Sequence, residues 1–444
     1  MSGFLKLGIG AVLFKKTQAL GWASPSTIQE KAIPVILNGR DLMAIAETGS
    51  GKTGAFLLPI LLRLSQDKSQ QATNPSVLIL APTRELAIQL HKNAEIFSEA
   101  LSKSACLLVG GLSILTQKEA LNRKPEIVVA TPGRLLDHIR QKNVDLSAIR
   151  YLVLDEADRM LDMGFLPDLK KILTYCPESK QSLLFSATLS DDIHLLAQKL
   201  LKRPILIEVN ANRDAGSIEQ KVFRIPEREK PIFLRDLIVD NGLEQVLVFT
   251  RQKESSAKLA SHLKEDGFTV EALHGDKTQA RRTKILEAFK NHELRILVAT
   301  DLASRGIDIK ELPVVINYEL PQDPHDYIHR IGRTGRAGEK GMAYSLISEK
   351  DAYKLQAIEA LIKRKLTIET PQRYQSYFEK EEVRKTQSTK KPISKSIKDS
   401  GIKSPDLKSG TDKKKKKALS SEKRVPKEKR NTGLDSFDYI LPDF

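Results

Sequence analysis

Cysteine is scarce in this sequence of 444 residues, which contains only Cys106 and Cys176. Two cysteines among apolar or small neighbours fit neither a disulfide framework nor a zinc ligand set, so we expect a reduced, intracellular protein. No stretch is long and apolar enough to span a bilayer. The apolar start GFLKLGIGAVLFKK (3–16) is interrupted by Lys6 and lacks a small-residue cleavage site, which argues against a signal peptide. These absences predict a cytoplasmic protein that does not enter a membrane.

Acidic residues are fewer than basic ones: the sequence contains 56 Asp and Glu and 72 Lys and Arg, which gives a formal net charge of +16. Such a surplus favours a polyanionic partner, nucleic acid before an anionic membrane surface. The surplus is uneven, since residues 371–444 hold 20 Lys and Arg but only 11 Asp and Glu. More than half of the excess positive charge therefore lies in the last sixth of the chain.

Ten short apolar runs recur along the chain, separated by longer amphipathic stretches. Apolar strands that alternate with helices are typical of parallel sheets covered on both faces. Because the chain is too long for one typical domain, the sequence predicts an α/β fold with two parallel-sheet domains. The apolar runs lie at 41–46, 76–80, 126–130, 151–154, 182–186, 205–209, 245–249, 296–300, 314–318 and 343–347.

Composition changes mark the domain boundaries. The stretch NANRDAGS (210–217) is polar, contains glycine and suits an interdomain linker. Beyond about residue 370 the apolar rhythm fades into a low-complexity basic sequence. We expect a first domain at 1–209, a linker at 210–218, a second domain at 219–368 and a disordered basic tail at 369–444.

The stretch AETGSGKT (46–53) directly follows the first apolar run and precedes a helical pattern. It fits the phosphate-loop pattern G-x-x-x-x-G-K-[ST] loosely, because Ala46 takes the first glycine position. Gly49 and Gly51 let backbone N–H groups close around phosphate oxygens at a helix N-terminus. Lys52 would reach the β- and γ-phosphates, and Thr53 would offer its hydroxyl to Mg²⁺. The alternative, a glycine-rich turn that only caps a helix, does not explain the order of strand, loop, Lys-Thr and helix.

A second acidic motif, YLVLDEAD (151–158), ends another apolar run with three carboxylates. Beside a phosphate loop, Asp155 would support Mg²⁺ and Glu156 would orient and deprotonate the attacking water. An acidic helix start is the alternative for this stretch taken alone, since carboxylates are favoured at helix N-termini. In the second half, HRIGRTGRAG (329–338) spaces Arg330, Arg333 and Arg336 three residues apart, and arginines match phosphate oxygens. A solvated basic helix face is the alternative there.

Taken together, these motifs resemble those of the DEAD-box RNA helicases, in order over about residues 4–365. The resemblance implies two RecA-like domains and ATP as cofactor. Gly21, Trp22 and Pro25 resemble part of the Q motif, in which Gln29 would read the adenine edge, Trp22 would stack on the ring and Phe4 would support it. The other implied nucleotide contacts are Ala46, Glu47, Thr48, Gly49, Ser50, Gly51, Lys52 and Thr53, with Asp308 from the second domain.

The resemblance also implies where RNA binds and how the two sites communicate. SAT (186–188) resembles the coupling motif, and PTREL (82–86) and TPGR (131–134) resemble RNA-backbone motifs. The family assigns Arg333 and Arg336 to the γ-phosphate. The implied coupling residues are Asp158, Ser186, Thr188, His329 and Arg330, with Ser186 and Thr188 hydrogen-bonded to Asp158. The implied RNA-binding residues are Pro82, Thr83, Arg84, Gly111, Thr131, Arg134, Arg251, Gly275, Arg282, Thr300 and Arg305.

Departures from the family pattern are small, and none falls on a proposed catalytic group. Glu47 stands where many members carry Gln, and Ser26 and Ser304 stand where Thr and Ala are usual. The spacer text and the short basic tail resemble the bacterial RhlE type. His274, a lone histidine beside glycine, is interpreted as structural rather than catalytic.

The basic tail has three interpretations: electrostatic RNA tethering, a solubilising segment and a nuclear address. We favour tethering, which would be salt-dependent and carry little sequence specificity. The terminal stretch GLDSFDYILPDF (433–444) is acidic and aromatic. It would dock on a partner or fold back on the chain, and the sequence does not decide between the two.

The sequence therefore predicts an ATP-dependent RNA helicase in which ATP and RNA close an interdomain cleft and separate a duplex locally. We expect a monomer that acts on structured RNA with little sequence preference, in ribosome assembly or RNA decay. A DNA helicase on the same scaffold is one alternative, against which the Q motif argues. A non-catalytic RNA clamp or remodelling factor is another, against which Lys52, Glu156 and Arg336 argue.

Overall fold

The computed structural model describes residues 3–47, 49–67, 74–209, 218–301, 312–335, 341–379 and 438–439. Two parallel β-sheets, each flanked by helices, account for most of these residues, so the predicted α/β fold is confirmed. Among the described residues no helix has both the length and the apolar character needed to cross a membrane. Both cysteines are free, and burial raises the pKa of Cys106 to about 12 and that of Cys176 to about 11.

The first sheet has the order β15-β7-β1-β6-β5-β2-β4-β3, and every neighbouring pair is parallel. Because parallel strands end at the same edge, the segments that follow β1, β2, β4, β5 and β6 share one rim of the sheet. The strands are β1 (Leu42–Ala46), β2 (Val77–Leu80), β3 (Ala105–Leu108), β4 (Ile127–Ala130), β5 (Tyr151–Leu154), β6 (Gln181–Ser186), β7 (Ile205–Val209) and β15 (Asp438–Tyr439).

Helices cover both faces of the first sheet. Alternate residues of β5 enter different apolar clusters, Val153 on one face and Leu152 on the other, which explains why the strand is apolar throughout. Thr83 caps α5 by accepting the Leu86 N–H. The helices are α1 (Gly3–Lys6), α2 (Ala11–Ala19), α3 (Thr27–Leu37), α4 (Lys52–Gln66), α5 (Arg84–Glu99), α6 (Ile114–Asn122), α7 (Pro132–Arg140), α8 (Ala157–Asp162), α9 (Leu166–Leu173) and α10 (Asp191–Leu200).

The second sheet has the order β10-β11-β9-β12-β13-β8-β14 and is also parallel throughout. Its strands are β8 (Ile218–Arg224), β9 (Val246–Thr250), β10 (Val270–Leu273), β11 (Ile296–Thr300), β12 (Val314–Asn317), β13 (Gly341–Ile347) and β14 (Ile368–Glu369). Its helices are α11 (Lys230–Asp240), α12 (Lys253–Glu265), α13 (Gln279–Lys290), α14 (Pro324–Ile331) and α15 (Ala352–Ile362).

The structure differs from the sequence expectation at the domain boundaries. Ile218, placed in the linker, is the first residue of β8, and residues 210–217 lie outside the described residues. Residues 369–379, placed in the tail, complete β14 and then form a helix over 372–379 that belongs to a second compact unit. For the terminal stretch, Asp438 and Tyr439 pair with β7, so the chain folds back onto its own first sheet.

Candidate active site

A cavity of about 530 Å³ opens at the rim of the first sheet where β1 and β5 end. Gly51 makes the turn from loop to α4 with φ of 99°, a left-handed conformation that glycine adopts without strain. A Cβ at this position would lie 2.6 Å from Ser26 Oγ, so the close approach also requires glycine. The residues predicted to bind nucleotide that line the cavity are Trp22, Gln29, Gly49, Ser50, Gly51, Lys52 and Thr53.

Gln29 is held by two hydrogen bonds at the edge of this cavity. Its Oε1 accepts the Ser26 N–H over 2.9 Å, and its Nε2 donates to the Gly51 carbonyl over 3.0 Å. An amide carries two donors and two acceptor positions, so one of each is left to recognise an adenine edge. Trp22 lines the cavity and packs on Phe97, with ring centroids 5.4 Å apart. Phe4, expected to support the ring, is fully buried in the core and does not line the cavity.

Lys52 and Asp155 form the charged centre of the cavity, with Nζ 3.8 Å from Oδ1 and both side chains almost fully buried. Burial raises the pKa of Asp155 to about 6, although the positive charge of Lys52 opposes the rise. Among the described residues Lys52 Nζ has no hydrogen-bond acceptor. A buried ammonium without acceptors is an unfavourable arrangement unless an anion completes it, so this site suits phosphate oxygens.

Glu156 follows Asp155 with φ of 53° and ψ of 52°, a left-handed conformation that is uncommon outside glycine. Its N–H donates to Asp155 Oδ1 over 3.0 Å. Both of its carboxylate oxygens are buried, and neither has a hydrogen-bond donor in the described part of the chain. The cavity therefore contains a carboxylate that is available to a water molecule.

The donors available to a metal are few. No group of three or more His, Cys, Asp or Glu side chains is placed to hold a metal ion in the described ranges. Asp155 and Thr53 both line the cavity and offer the oxygen donors that Mg²⁺ prefers. Two protein oxygens fit Mg²⁺ that is held largely by water and substrate phosphates, as is common for this ion.

Asp158 joins β5 to the segment after β6. Its Oδ2 accepts hydrogen bonds from Ala187 N (2.9 Å), Thr188 N (3.0 Å) and Thr188 Oγ1 (3.2 Å). Burial pushes the pKa of Asp158 upwards, but the charges of Lys52, His329 and Arg159 and a hydrogen bond from the Arg159 N–H leave this pKa below the ordinary value. Ser186, expected to bond Asp158, instead donates to the Thr188 carbonyl over 2.7 Å. The contact between Asp158 and SAT is therefore made by Ala187 and Thr188.

Arg330 is buried inside the second domain and stacks over Phe249. It forms a bidentate pair with Asp301, with Nε–Oδ1 and Nη2–Oδ2 distances of 2.6 Å. Its Nη1 donates to Asn317 Oδ1 and to the Glu319 carbonyl. These bonds occupy the guanidinium, so Arg330 braces the second domain and does not reach the cavity of the first.

Arg333 and His329 lie where the second domain meets the first. Both line a small cavity together with Arg159 of α8. The structure thus brings one of the two arginines assigned to the γ-phosphate close to the acidic motif of the first domain. The other, Arg336, lies outside the described residues, as do Thr48, Asp308 and Arg305.

The first-domain residues assigned to RNA lie in the segments that follow β2, β3 and β4. A Cβ on Gly111 would lie 2.3 Å from Arg84 Nη1, so the guanidinium packs directly on this glycine. Arg134 Nη1 donates to the Leu112 carbonyl over 3.0 Å. Pro82 and Thr83 start α5, and Thr131 precedes α7. These residues form one continuous polar rim beside the nucleotide cavity.

The second-domain residues assigned to RNA are arranged less uniformly. Arg251 donates its N–H to Glu319 Oε2 over 2.6 Å, Thr300 ends β11 and Gly275 follows β10. Arg282 is buried and donates its Nε hydrogen to Glu85 of the first domain over 2.7 Å. A contact between Arg282 and RNA would require this pair to open.

Several residues at the site were not identified from the sequence. Gln89 and Asn93 line the cavity from α5, and a helical projection of the segment after PTREL could have suggested them. Glu85 lies inside PTREL, but its partners Gln279 and Arg282 belong to the other domain, so no local signal identifies it. Arg159 directly follows the acidic motif, and its i,i+3 spacing from Glu156 is a local signal that could have suggested their ion pair.

The fold and the site define a class: a two-domain enzyme with a phosphate-loop cavity in one parallel-sheet domain and arginines supplied by a second. Two family models match the chain, DEAD/DEAH box helicase at residues 26–196 and helicase conserved C-terminal domain at residues 229–338. The chain belongs to the DEAD-box family of ATP-dependent RNA helicases. The RhlE type stays a prediction.

Curated relatives match most of the chain. It is 43% identical over 366 residues to the ATP-dependent rRNA helicase RRP3 of Coccidioides immitis, covering 82% of this chain and 76% of that protein. It is 41% identical over 369 residues to the ATP-dependent RNA helicase CshA of Listeria monocytogenes, covering 82% and 70%.

Two solved structures show the same architecture with ligands. S. cerevisiae Dbp5 bound to RNA and ADP BeF3 has a TM-score of 0.74 and 31% identity, covering 87% of this chain and 99% of that one. The DEAD-box helicase Mss116 bound to ssRNA and UDP-BeF has a TM-score of 0.75 and 30% identity, covering 83% and 79%.

Proposed function

We propose that this helicase binds ATP in the cavity formed by the Q motif, the phosphate loop and the acidic motif, and hydrolyses it there. The observation that carries this proposal is the convergence of Lys52, Asp155 and Glu156 in one cavity beside Gln29. The Lys52 ammonium has no hydrogen-bond acceptor and the Glu156 carboxylate has no donor among the described residues, although both line this cavity. Phosphate oxygens would supply the acceptors for Lys52, and a water molecule would supply the donor for Glu156.

The chemistry follows from the positions of these groups. Lys52 binds the β- and γ-phosphate oxygens and offsets their charge. Asp155 and Thr53 would hold Mg²⁺, which neutralises phosphate charge when bound. Glu156 accepts a hydrogen bond from the attacking water and takes its proton as the bond to phosphorus forms. The conformation of Glu156 is consistent with this role, since unusual backbone angles cluster at functional sites.

The second domain supplies the remaining charge. Arg333 and Arg336 stabilise the transferring γ-phosphoryl group when the cleft closes, and Asp308 reaches the ribose side. Asp158 relays closure to SAT through its bonds to Ala187 and Thr188. Hydrolysis removes the γ-phosphate that held the two domains together, so the cleft reopens.

RNA binds along the rim that carries Arg84, Gly111 and Arg134, and Arg251 and Arg305 supply further contacts from the second domain. Contacts to phosphate and sugar give little sequence preference, and contacts to 2′-hydroxyls favour RNA over DNA. The rRNA helicases among the relatives support ribosomal precursors as the substrate. We propose a cytoplasmic enzyme that acts as a monomer.

ATP turnover with and without RNA, in wild type and Glu156→Gln, tests this proposal. We expect RNA to stimulate the wild type and the substitution to reduce turnover at least 100-fold, because it removes the base without changing the shape. Equal stimulation by DNA of the same length would contradict RNA selectivity. Turnover retained in Glu156→Gln would contradict the assignment of the base.

A further inference from the structure

Arg159 is a buried cation beside the proposed base. It lies in the first turn of α8, its side chain is only 4% exposed, and its Nε is 3.5 Å from Glu156 Oε2. Its Nη1 is buried and has no acceptor in the described part of the chain. A buried guanidinium that leaves a donor unused is costly, which indicates a role other than stability.

Glu156 needs such a neighbour. Its carboxylate and that of the neighbouring Asp155 repel each other, and the ammonium of Lys52 is paired with Asp155. None of the described donors makes a hydrogen bond to Glu156, so its position depends on longer-range attraction. Within the described ranges Arg159 is the cation that lies within ion-pair distance of it.

Arg159 also faces the second domain. Together with Asp301, His329 and Arg333 it lines the cavity of about 10 Å³ between the domains. The guanidinium that lies beside Glu156 therefore also faces charged groups of the second domain. A change in the arrangement of the two domains would change the charges around Arg159, and Arg159 would transmit this change to Glu156.

We propose that Arg159 is a positioning residue for the hydrolytic step, which fixes the carboxylate of Glu156 and links its position to the docking of the second domain. This inference rests on the proposed function of Glu156 as the base. Arg159 does not line the nucleotide cavity, and it acts only through Glu156.

The test measures kcat and KM for ATP at saturating RNA in full-length Arg159→Gln and Arg159→Lys. Arg140→Gln is a matched control, because Arg140 makes an i,i+3 pair with Asp137 on an exposed helix face. Affinity for a fluorescent ATP analogue is measured in parallel as a check on folding of the site.

We expect Arg159→Gln to lower kcat about 10- to 100-fold, as misplacement of a catalytic group by about 1 Å does. KM and analogue affinity should change less than about threefold, Arg159→Lys should recover most of the loss, and Arg140→Gln should match the wild type. A kcat within twofold of wild type in Arg159→Gln would overturn the inference. So would equal losses in Gln and Lys variants, or a loss of analogue affinity that parallels the loss of kcat.

Glu156→Gln, assayed in the same series, separates this inference from the proposed function. If that variant is inactive while Arg159→Gln is not impaired, only the role of Arg159 is wrong. If Glu156→Gln keeps its turnover, the base assignment fails and the inference fails with it.

Discussion

Arg282 of the second domain donates its Nε hydrogen to Glu85 Oε1 of the first domain over 2.7 Å. The two side chains are 8% and 10% exposed, and Gln279 Nε2 donates to the same oxygen over 3.2 Å. A hydrogen bond between opposite charges in such a buried place is strong. Because Glu85 directly follows Arg84 on the RNA rim, this interdomain ion pair links the arrangement of the two domains to the proposed RNA path.

Glu85→Gln tests the role of this interdomain ion pair. The substitution keeps the shape of the side chain but removes the charge opposite Arg282, and breaking a buried pair in this way costs roughly 2–5 kcal/mol. We expect a wider distance distribution between fluorophores placed on the two domains, with ATP affinity unchanged. Glu99→Gln, exposed near the end of the same helix, is the control. An unaltered distance distribution in Glu85→Gln would show that other contacts hold the domains.

The acidic centre predicts a pH effect on stability. Burial raises the pKa of Asp155 to about 6 from an ordinary value of 3.8. The folded protein therefore binds the Asp155 proton more tightly than the unfolded chain does. The protonated carboxyl contributes its full stabilisation below pH 3.8, and this contribution is lost as the pH rises through about 6. We expect the free energy of unfolding of Asp155→Asn to increase relative to that of the wild type between pH 4 and pH 7, by up to about 3 kcal/mol. Urea unfolding without Mg²⁺ measures this difference. A difference that does not vary with pH would contradict this.

The strands that could be predicted are the central ones. YLVL and ILVAT are apolar throughout because both faces of their sheets are covered, and this leaves a clear signal in the sequence. β8, with the sequence IEQKVFR, is not predicted because three consecutive polar residues interrupt its apolar pattern. β3 and β10, which are also not predicted, each lie at an edge of a sheet. Local apolar pattern thus identifies a sheet interior better than its borders.

For the site, the phosphate loop and the acidic motif line the same cavity, and their positions follow from the sequence because strand, turn and helix determine them locally. The contacts that the sequence does not predict are those of long side chains. Arg330 and Arg282 can reach several partners, and the choice of Asp301 and Glu85 depends on tertiary placement. The family resemblance implies a hydrogen bond from Ser186 to Asp158, whereas the Ser186 hydroxyl donates locally to the Thr188 carbonyl.

Double-mutant cycles should separate the two hydroxyls of the SAT motif. Thr188→Val removes a direct bond to Asp158, whereas Ser186→Ala removes only bonds within its own turn. In cycles with Asp158→Asn, we expect a coupling energy of about 0.5–1.5 kcal/mol for Thr188 and less than half of that for Ser186. Unfolding of the full chain in urea gives the values. Equal coupling at both positions would contradict the geometry.

The basic tail should affect RNA affinity rather than catalysis. Deletion of Gln372–Ser436, which form the second compact unit, removes 20 Lys and Arg and keeps Phe437–Phe444, which belong to the first unit. We expect ATP turnover at saturating RNA to remain, RNA affinity to fall, and the difference to shrink as salt rises, since phosphate contacts release counterions. Filter-binding titrations at several salt concentrations measure this. The same affinity with and without the tail at low salt would exclude tethering.

Gly111→Ala should damage the RNA rim without affecting the ATP cavity. Gly111 has φ of 79°, and an added Cβ would lie 2.3 Å from Arg84 Nη1, so the substitution strains the backbone and displaces the guanidinium. Gly164→Ala is a matched control, because Gly164 has φ of 76° but no atom near an added Cβ. Both variants should lose about 1–2 kcal/mol of stability from the left-handed backbone.

Only Gly111→Ala should weaken RNA binding, by about fivefold to tenfold, which corresponds to one lost charge-assisted contact of about 1–1.4 kcal/mol. Fluorescence anisotropy with a labelled single-stranded RNA measures this, and a fluorescent nucleotide shows that ATP affinity is retained. If both variants weaken RNA binding equally, backbone strain rather than the displaced arginine is responsible. If neither does, Arg84 is not a phosphate ligand in this helicase.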